Sequence, residues 1–194
     1  MTDEYAETSR SSLALVGDEA VLAGSWDEWI TNRDVHNLGE SGMTADELLA
    51  RHTDLHDLRP DSVVLMVGGN DFAQRRSVEH VVRTVQLVLV TLRRELPGAR
   101  MLVQSILPRE PQFAERISEA NLHLRQFAPN LNAHYLDLWP ALESNGSLAP
   151  EFSTDPSHLN DEGYAAWLAE LTPALERLDD SPPMSRPIPI VRQR

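Results

Sequence analysis

Ser62-Val63-Val64-Leu65-Met66-Val67-Gly68-Gly69-Asn70-Asp71 runs five apolar residues into two glycines, an amide and a carboxylate. An apolar run of that length without polar alternation reads as a strand buried on both faces, the environment of a central strand in a parallel sheet. In open α/β sheets ligands bind beyond the carboxyl ends of the strands, so Asn70 and Asp71 stand where a site would be built.

Outward from this stretch, short β-branched runs alternate with longer helical patterns, the signature of parallel strands joined by helical crossovers. Leu13–Val16 and the segment around Val35–Leu38 read as strands before it, Met101–Ile106 and His134–Leu138 as strands after it. Thr44 and Glu47 form a Thr-x-x-Glu capping box for a helix that ends before Pro60, and Ser77 can cap a long helix stopped by Pro97-Gly98. Helical patterns near Pro111–Phe127 and Asp161–Leu178 complete an α/β fold: a three-layer α/β/α sandwich around a five-stranded parallel sheet. The expected division is a flexible N-terminal segment at 1–12, one domain at 13–178 and a tail at 179–194 with four prolines.

Composition narrows the function. The 194 residues, 41% apolar and 24% charged, suit one domain. With no cysteine and no lysine, thiolate nucleophiles, Schiff bases and Ser-Lys dyads are excluded. A formal charge of −13 argues against a nucleic-acid partner, and no apolar run is long enough to span a membrane. The polar, acidic start lacks the pattern of a secretory signal, so the default expectation is a cytoplasmic protein acting on a small molecule. No cofactor or metal is called for, and no motif sets an oligomeric state.

Four blocks lie at strand ends or a helix start: Gly17-Asp18-Glu19, Gly39-Glu40-Ser41-Gly42, Gly68-Gly69-Asn70-Asp71, and Asp155-Pro156-Ser157-His158-Leu159-Asn160. In this order, with Leu-Val-Gln-Ser-Ile-Leu-Pro-Arg at 102–109 and His-Leu-Asn-Asp-Glu-Gly-Tyr at 158–164, they resemble the SGNH, or GDSL-like, hydrolase superfamily across roughly Leu13–Leu178. The similarity is greatest to its small-esterase and platelet-activating-factor acetylhydrolase-like branch. The resemblance implies a flavodoxin-like sandwich, His158 as general base, and Asp155 as its orienting carboxylate. It also implies oxyanion-hole donors at the Asn70 side-chain amide, the Gly42 backbone N–H and the backbone N–H of the nucleophile. Such fixed dipoles stabilise the charge that acyl transfer develops on a carbonyl oxygen, each worth about 3 kcal/mol.

The nucleophile position departs from the family: residue 19 is Glu where the resemblance implies Ser. A carboxylate needs no base to activate it and attacks esters poorly, because the anhydride formed is a high-energy intermediate. Ser25, Ser41 and Ser157 read as cap or turn residues. Four readings stay open. Glu19 acts as base, acid or covalent nucleophile in carboxylate chemistry; or it folds into the oxyanion hole, pairs with protonated His158 and plugs the site. It could also be a replacement introduced to disable a serine esterase, or a group that positions water with His158 for slow hydrolysis. Were Glu19 and His158 close, their ion pair would depress the Glu19 pKa and raise that of His158.

Asp18, Phe72 and Arg109 could line a substrate pocket, with core packing the alternative for Phe72 and a surface ion pair for Arg109. His52 and His56, with Asp54 and Asp57, have a spacing that could hold a metal but lack a third ligand, and read as an exposed helix end. Trp26, Trp29, Trp139 and Trp167 read as core or lid packing. The interval from Asn70 to Asp155 leaves no room for a large lid, which implies an open cleft.

Overall fold

The computed structural model describes residues 10–51 and 53–181. Its sheet is formed by β1 (Ser12–Gly17), β2 (Asp34–Gly39), β3 (Ser62–Met66), β4 (Arg100–Gln104) and β5 (Ala133–Leu136), all parallel, in the order β2-β1-β3-β4-β5. The order reverses at β1, between β2 and β3, so the ends of these three strands open the crevice expected of a doubly wound sheet.

Alternation along β1 sorts its side chains onto the two faces. Ala14 and Val16 join Val63, Leu65, Met101 and Val103 under α3 (Ala45–Ala50), α6 (Val78–Glu95) and α7 (Ala114–Phe127). Leu13 and Leu15 join Val64, Met66 and Leu102 on the opposite face, beneath Trp26 and the Trp167–Leu178 side of α9 (Asp161–Asp180). Every residue of β3 is buried, as the unbroken apolar run requires. The three-layer sandwich therefore follows directly from two apolar sheet faces that each need a cover.

Both predicted caps form. Thr44 and Glu47 make the reciprocal capping box, and the Ser77 hydroxyl accepts from the His80 N–H at 3.2 Å. The helix expected to continue to Pro60 is instead two, α3 and α4 (Thr53–Leu58), because the chain leaves helical geometry at Arg51, whose side chain turns back to Glu40 at 2.6 Å. At the other end, α9 runs through Asp179 and Asp180, two residues expected in the tail; Asp179 pairs with the buried Arg33. Ser12, assigned to the N-terminal segment, opens β1 and is tied to Asp61. The rest of the N-terminal segment to residue 9, the tail from 182 and His52 lie outside the described residues. Among the described residues, no helix is long and apolar enough to cross a membrane and no group of three or more His, Asp or Glu side chains is placed to hold a metal.

Short elements complete the fold: α1 (Glu19–Leu22), α2 (Trp26–Trp29), α5 (Gly69–Ala73), α8 (Trp139–Leu142), and the two-stranded ribbons β6 (Glu143–Ser144) with β7 (Ser147–Leu148) and β8 (Ser153–Asp155) with β9 (His158–Leu159).

Candidate active site

Glu19 sits where β1 turns into α1, and three packing decisions fix that turn. Asp18 caps α1 by accepting from the Ala20 N–H at 3.1 Å. Tyr164 on α9 donates its hydroxyl to the Ala20 carbonyl at 2.8 Å, and Trp26 donates its indole N–H to the Val21 carbonyl at 2.7 Å. Trp26 is fully buried and makes edge contacts with Trp29, Tyr164 and Trp167, so the first turn after β1 is anchored to the aromatic side of the core. This is the core packing expected for Trp26 and Trp167, whereas Trp29 stays exposed and only leans against Trp26 and Tyr164; Trp139 packs on the opposite core face.

From there the Glu19 side chain reaches the two donors expected of an oxyanion hole. Its Oε2 accepts from the Gly42 N–H at 3.1 Å and from Asn70 Nδ2 at 2.8 Å. Burial acts to raise the Glu19 pKa, but hydrogen bonds from Asn70, its own backbone N–H and Gly42, with the nearby Arg109 charge, hold it below the ordinary value. Asn70 also donates to the Met43 carbonyl at 3.2 Å, while its Oδ1 accepts from Arg109 Nη1 at 3.2 Å.

Asp155 and His158 come together as expected. His158 Nδ1 lies 2.8 and 2.9 Å from the two Asp155 oxygens. Asp155 also accepts from the backbone N–H groups of Ser157 and His158, which fixes the turn between β8 and β9. The Ser157 N–H, the His158 ring and the Ser157 hydroxyl hold the Asp155 carboxyl down at about 2. An ionised Asp155 favours the proton on Nδ1 and leaves Nε2 as the accepting nitrogen, the state a general base needs. The His158 side chain is 54% exposed, in keeping with an open cleft.

The direct Glu19–His158 ion pair does not form: no ion pair or hydrogen bond joins them among the described residues. Glu19 is instead satisfied by neutral donors, and His158 by Asp155. The depressed Glu19 pKa therefore has a different origin from the one the sequence brought to mind.

Asp18, expected at the pocket wall, is there but buried. Desolvation and the adjacent Glu19 charge push its carboxyl up to about 7 against the pull of the Ala20 N–H and Arg109. Asp18, Glu19, Gly69, Arg109, Leu148 and Ser157 surround a cavity of about 20 Å³, room for about one water. Phe72 is not a wall of this cavity. It is fully buried among the α3/α6/α7 side chains, with the Arg116 guanidinium 5.0 Å from its ring centre. No pattern in the sequence marks Tyr164 as an anchor of the Glu19 turn, and Asp71, expected at the strand end beside the site, instead turns inward, where its buried Oδ2 accepts from the Ala45 N–H at 3.0 Å and so holds the segment that follows Gly42.

The sequence profile of the GDSL-like lipase/acylhydrolase family matches residues 5–166. Among curated proteins no sequence matches. Solved structures share the fold at low identity. A GDSL-like lipase from Bacteroides thetaiotaomicron is 20% identical with a TM-score of 0.76, covering 87% of this chain and 89% of its own. A carbohydrate esterase family 3 protein from Talaromyces cellulolyticus is 17% identical with a TM-score of 0.72, covering 89% and 100%. An acetyl-xylooligosaccharide esterase variant from Geobacillus is 17% identical with a TM-score of 0.71, covering 92% and 98%.

Proposed function

Because the chain belongs to the GDSL-like lipase/acylhydrolase family, we propose that it is a hydrolase scaffold for a small carbonyl- or ester-containing substrate whose oxyanion hole is occupied at rest by the Glu19 carboxylate. The observation that carries this reading is the convergence of Gly42 N–H and Asn70 Nδ2 on one oxygen of Glu19. A substrate carbonyl needs those donors. Hydrogen bonds to a charged acceptor are each worth roughly 1.5–3 kcal/mol, so displacing the carboxylate is costly. The proposed base and its orienting acid, His158 and Asp155, are meanwhile assembled and open to solvent. In this reading position 19 is what blocks ester hydrolysis, and the chain with Glu19 is a poor esterase.

The test is hydrolysis of small aryl acetate and butyrate esters by Glu19→Ser alongside the native chain. Turnover in the variant and its near-absence in the native chain is the expected result. No turnover in either would remove generic ester hydrolysis from the scaffold's repertoire.

A second reading, catalysis by carboxylates, is favoured by one observation. Asp18 and Glu19 border the same water-sized cavity with pKa values pushed in opposite directions, Asp18 up to about 7 and Glu19 down. Such divergence separates an acid from a base. In this reading Glu19 acts as base or nucleophile with Asp18 as proton donor. Native turnover of a small ester, lost in both Glu19→Gln and Asp18→Asn, would establish it over the plugged form.

A further inference from the structure

The side-chain amide of Asn70 can point in two ways, and only one serves an oxyanion hole. Its NH2 group meets two acceptors, Glu19 Oε2 at 2.8 Å and the Met43 carbonyl at 3.2 Å, while its Oδ1 meets one donor, Arg109 Nη1 at 3.2 Å. Reversal would set a carbonyl oxygen against a carboxylate and a second carbonyl, and an NH2 against a guanidinium, leaving all three contacts repulsive. Arg109 supplies the only donor in this set. It lies on the loop after β4, and its side chain is 14% exposed, held over Gly69, where a Cβ would come within 3.3 Å of Nη1. Nε lies 3.5 Å from Glu110 Oε2 without a hydrogen bond, so the ion pair leaves the Nη1 side of the fork to Asn70.

We infer that Arg109 is a positioning residue: it locks the Asn70 amide with Nδ2 turned toward the oxyanion hole, and its charge favours whatever negative oxygen occupies that hole. In the native chain the oxygen belongs to Glu19; in an acyl-transfer reaction it would belong to the substrate. The inference rests on the hole assigned above for Asn70 and Gly42. It extends that assignment to a residue on a third loop that acts on the hole through Asn70. A surface ion pair with Glu110 would need neither the Nη1–Oδ1 contact nor the enclosure.

Two arms keep this inference separable from the proposed hydrolase activity. The first needs no turnover: the Asn70 side-chain NH2 signals and the Glu19 carboxyl titration are followed by NMR in the native chain, Arg109→Met and Arg109→Lys. Arg109→Met should speed exchange of the Asn70 NH2 protons and move the Glu19 titration upward; Arg109→Lys, which keeps the charge without the planar fork, should restore the titration more fully than the exchange. Unchanged Asn70 exchange and an unmoved Glu19 titration in a folded Arg109→Met protein would overturn the inference. The second arm places Arg109→Met in the Glu19→Ser background, where kcat should fall by about tenfold or more with KM little changed, since misplacing a catalytic donor acts on the transition state. A rise in KM at constant kcat would make Arg109 a substrate-binding group instead and overturn the positioning role. If Glu19→Ser shows no turnover, the hydrolase reading fails, and the NMR arm still decides the role of Arg109.

Discussion

Asn70 Nδ2 lies 2.8 Å from Glu19 Oε2, on the oxygen that Gly42 N–H also reaches. Because these donors hold Glu19 below its ordinary pKa, the folded state prefers the ionised form more strongly than the unfolded chain does. The stabilisation is fully present above the unfolded value of 4.5 and is lost as pH falls through the lower folded value. Glu19→Gln keeps the shape but not the charge, so the difference in urea stability between variant and native should vanish on the acid side of this range. Above it the loss should be about 1 kcal/mol, since the half-buried carboxylate is partly screened. A pH-independent difference would show that Glu19 contributes through packing alone.

Asp18 carries the opposite sign. Its folded pKa of about 7 lies above the unfolded value of 3.8, so the folded protein holds a proton that the unfolded chain releases between those values. Stability contributed by that proton is complete below the unfolded pKa and disappears as pH rises toward the folded one. Asp18→Asn retains an oxygen to cap the Ala20 N–H and carries no charge to bury. It should therefore stabilise the protein above neutrality, by on the order of 2–4 kcal/mol, with the gain shrinking toward pH 4. Denaturation midpoints that are identical at both extremes would place Asp18 in a solvated setting.

Asp155 orients His158 through Nδ1, so its removal should act on chemistry and not on folding. In the Glu19→Ser background, Asp155→Asn retains an oxygen for the Ser157 and His158 N–H groups but no longer favours the proton on Nδ1. A kcat loss on the order of 10²–10⁴-fold is expected, with the thermal midpoint nearly unchanged at so exposed a site. Retained kcat would remove Asp155 from the role of orienting carboxylate.

The central strand and the four blocks were legible because burial and strand-end position are written in apolar runs and in the residues that interrupt them. Leu13–Val16 and Ser62–Val67 show both core faces in their spacing. The placement of Asn70, Gly42 and Glu19 around one oxygen was one of four readings the residues left open, and the sequence could not choose among them, since the choice depends on how β1, β2 and β3 align and on a side-chain rotamer. Sequence proximity within the Asp155–His158 block did bring that pair together. Arg33 with Asp179, and Arg109 with Asn70, are contacts between distant segments that no local period encodes. The break at Arg51 escaped because the helical pattern continues across it, and the Arg51–Glu40 contact joins segments that no local period links.

Two glycines flanking the Gly39–Gly42 block separate space from conformation. At Gly39 a Cβ would fall 2.2 Å from the backbone nitrogen of Leu22, so β2 and α1 approach as closely as they do only because this residue has no side chain. Gly42 has a φ of +76° and nothing within 4 Å of an added Cβ, so its substitution meets strain but no clash. Gly39→Ala must push α1, and with it Glu19, away from the Gly42 N–H. A stability loss of about 2 kcal/mol or more is expected, together with an upward move of the Glu19 titration, because the backbone atoms it meets cannot yield as a flexible side chain would. Gly42→Ala should cost about 1–2 kcal/mol from the left-handed backbone alone. The Glu19 titration should move less in this variant, because the Gly42 N–H remains present. Paired denaturation and carboxyl titrations of the two variants decide the matter: equal losses, or a Glu19 titration that follows Gly42→Ala and ignores Gly39→Ala, would mean that the β2–α1 approach does not hold Glu19 in place.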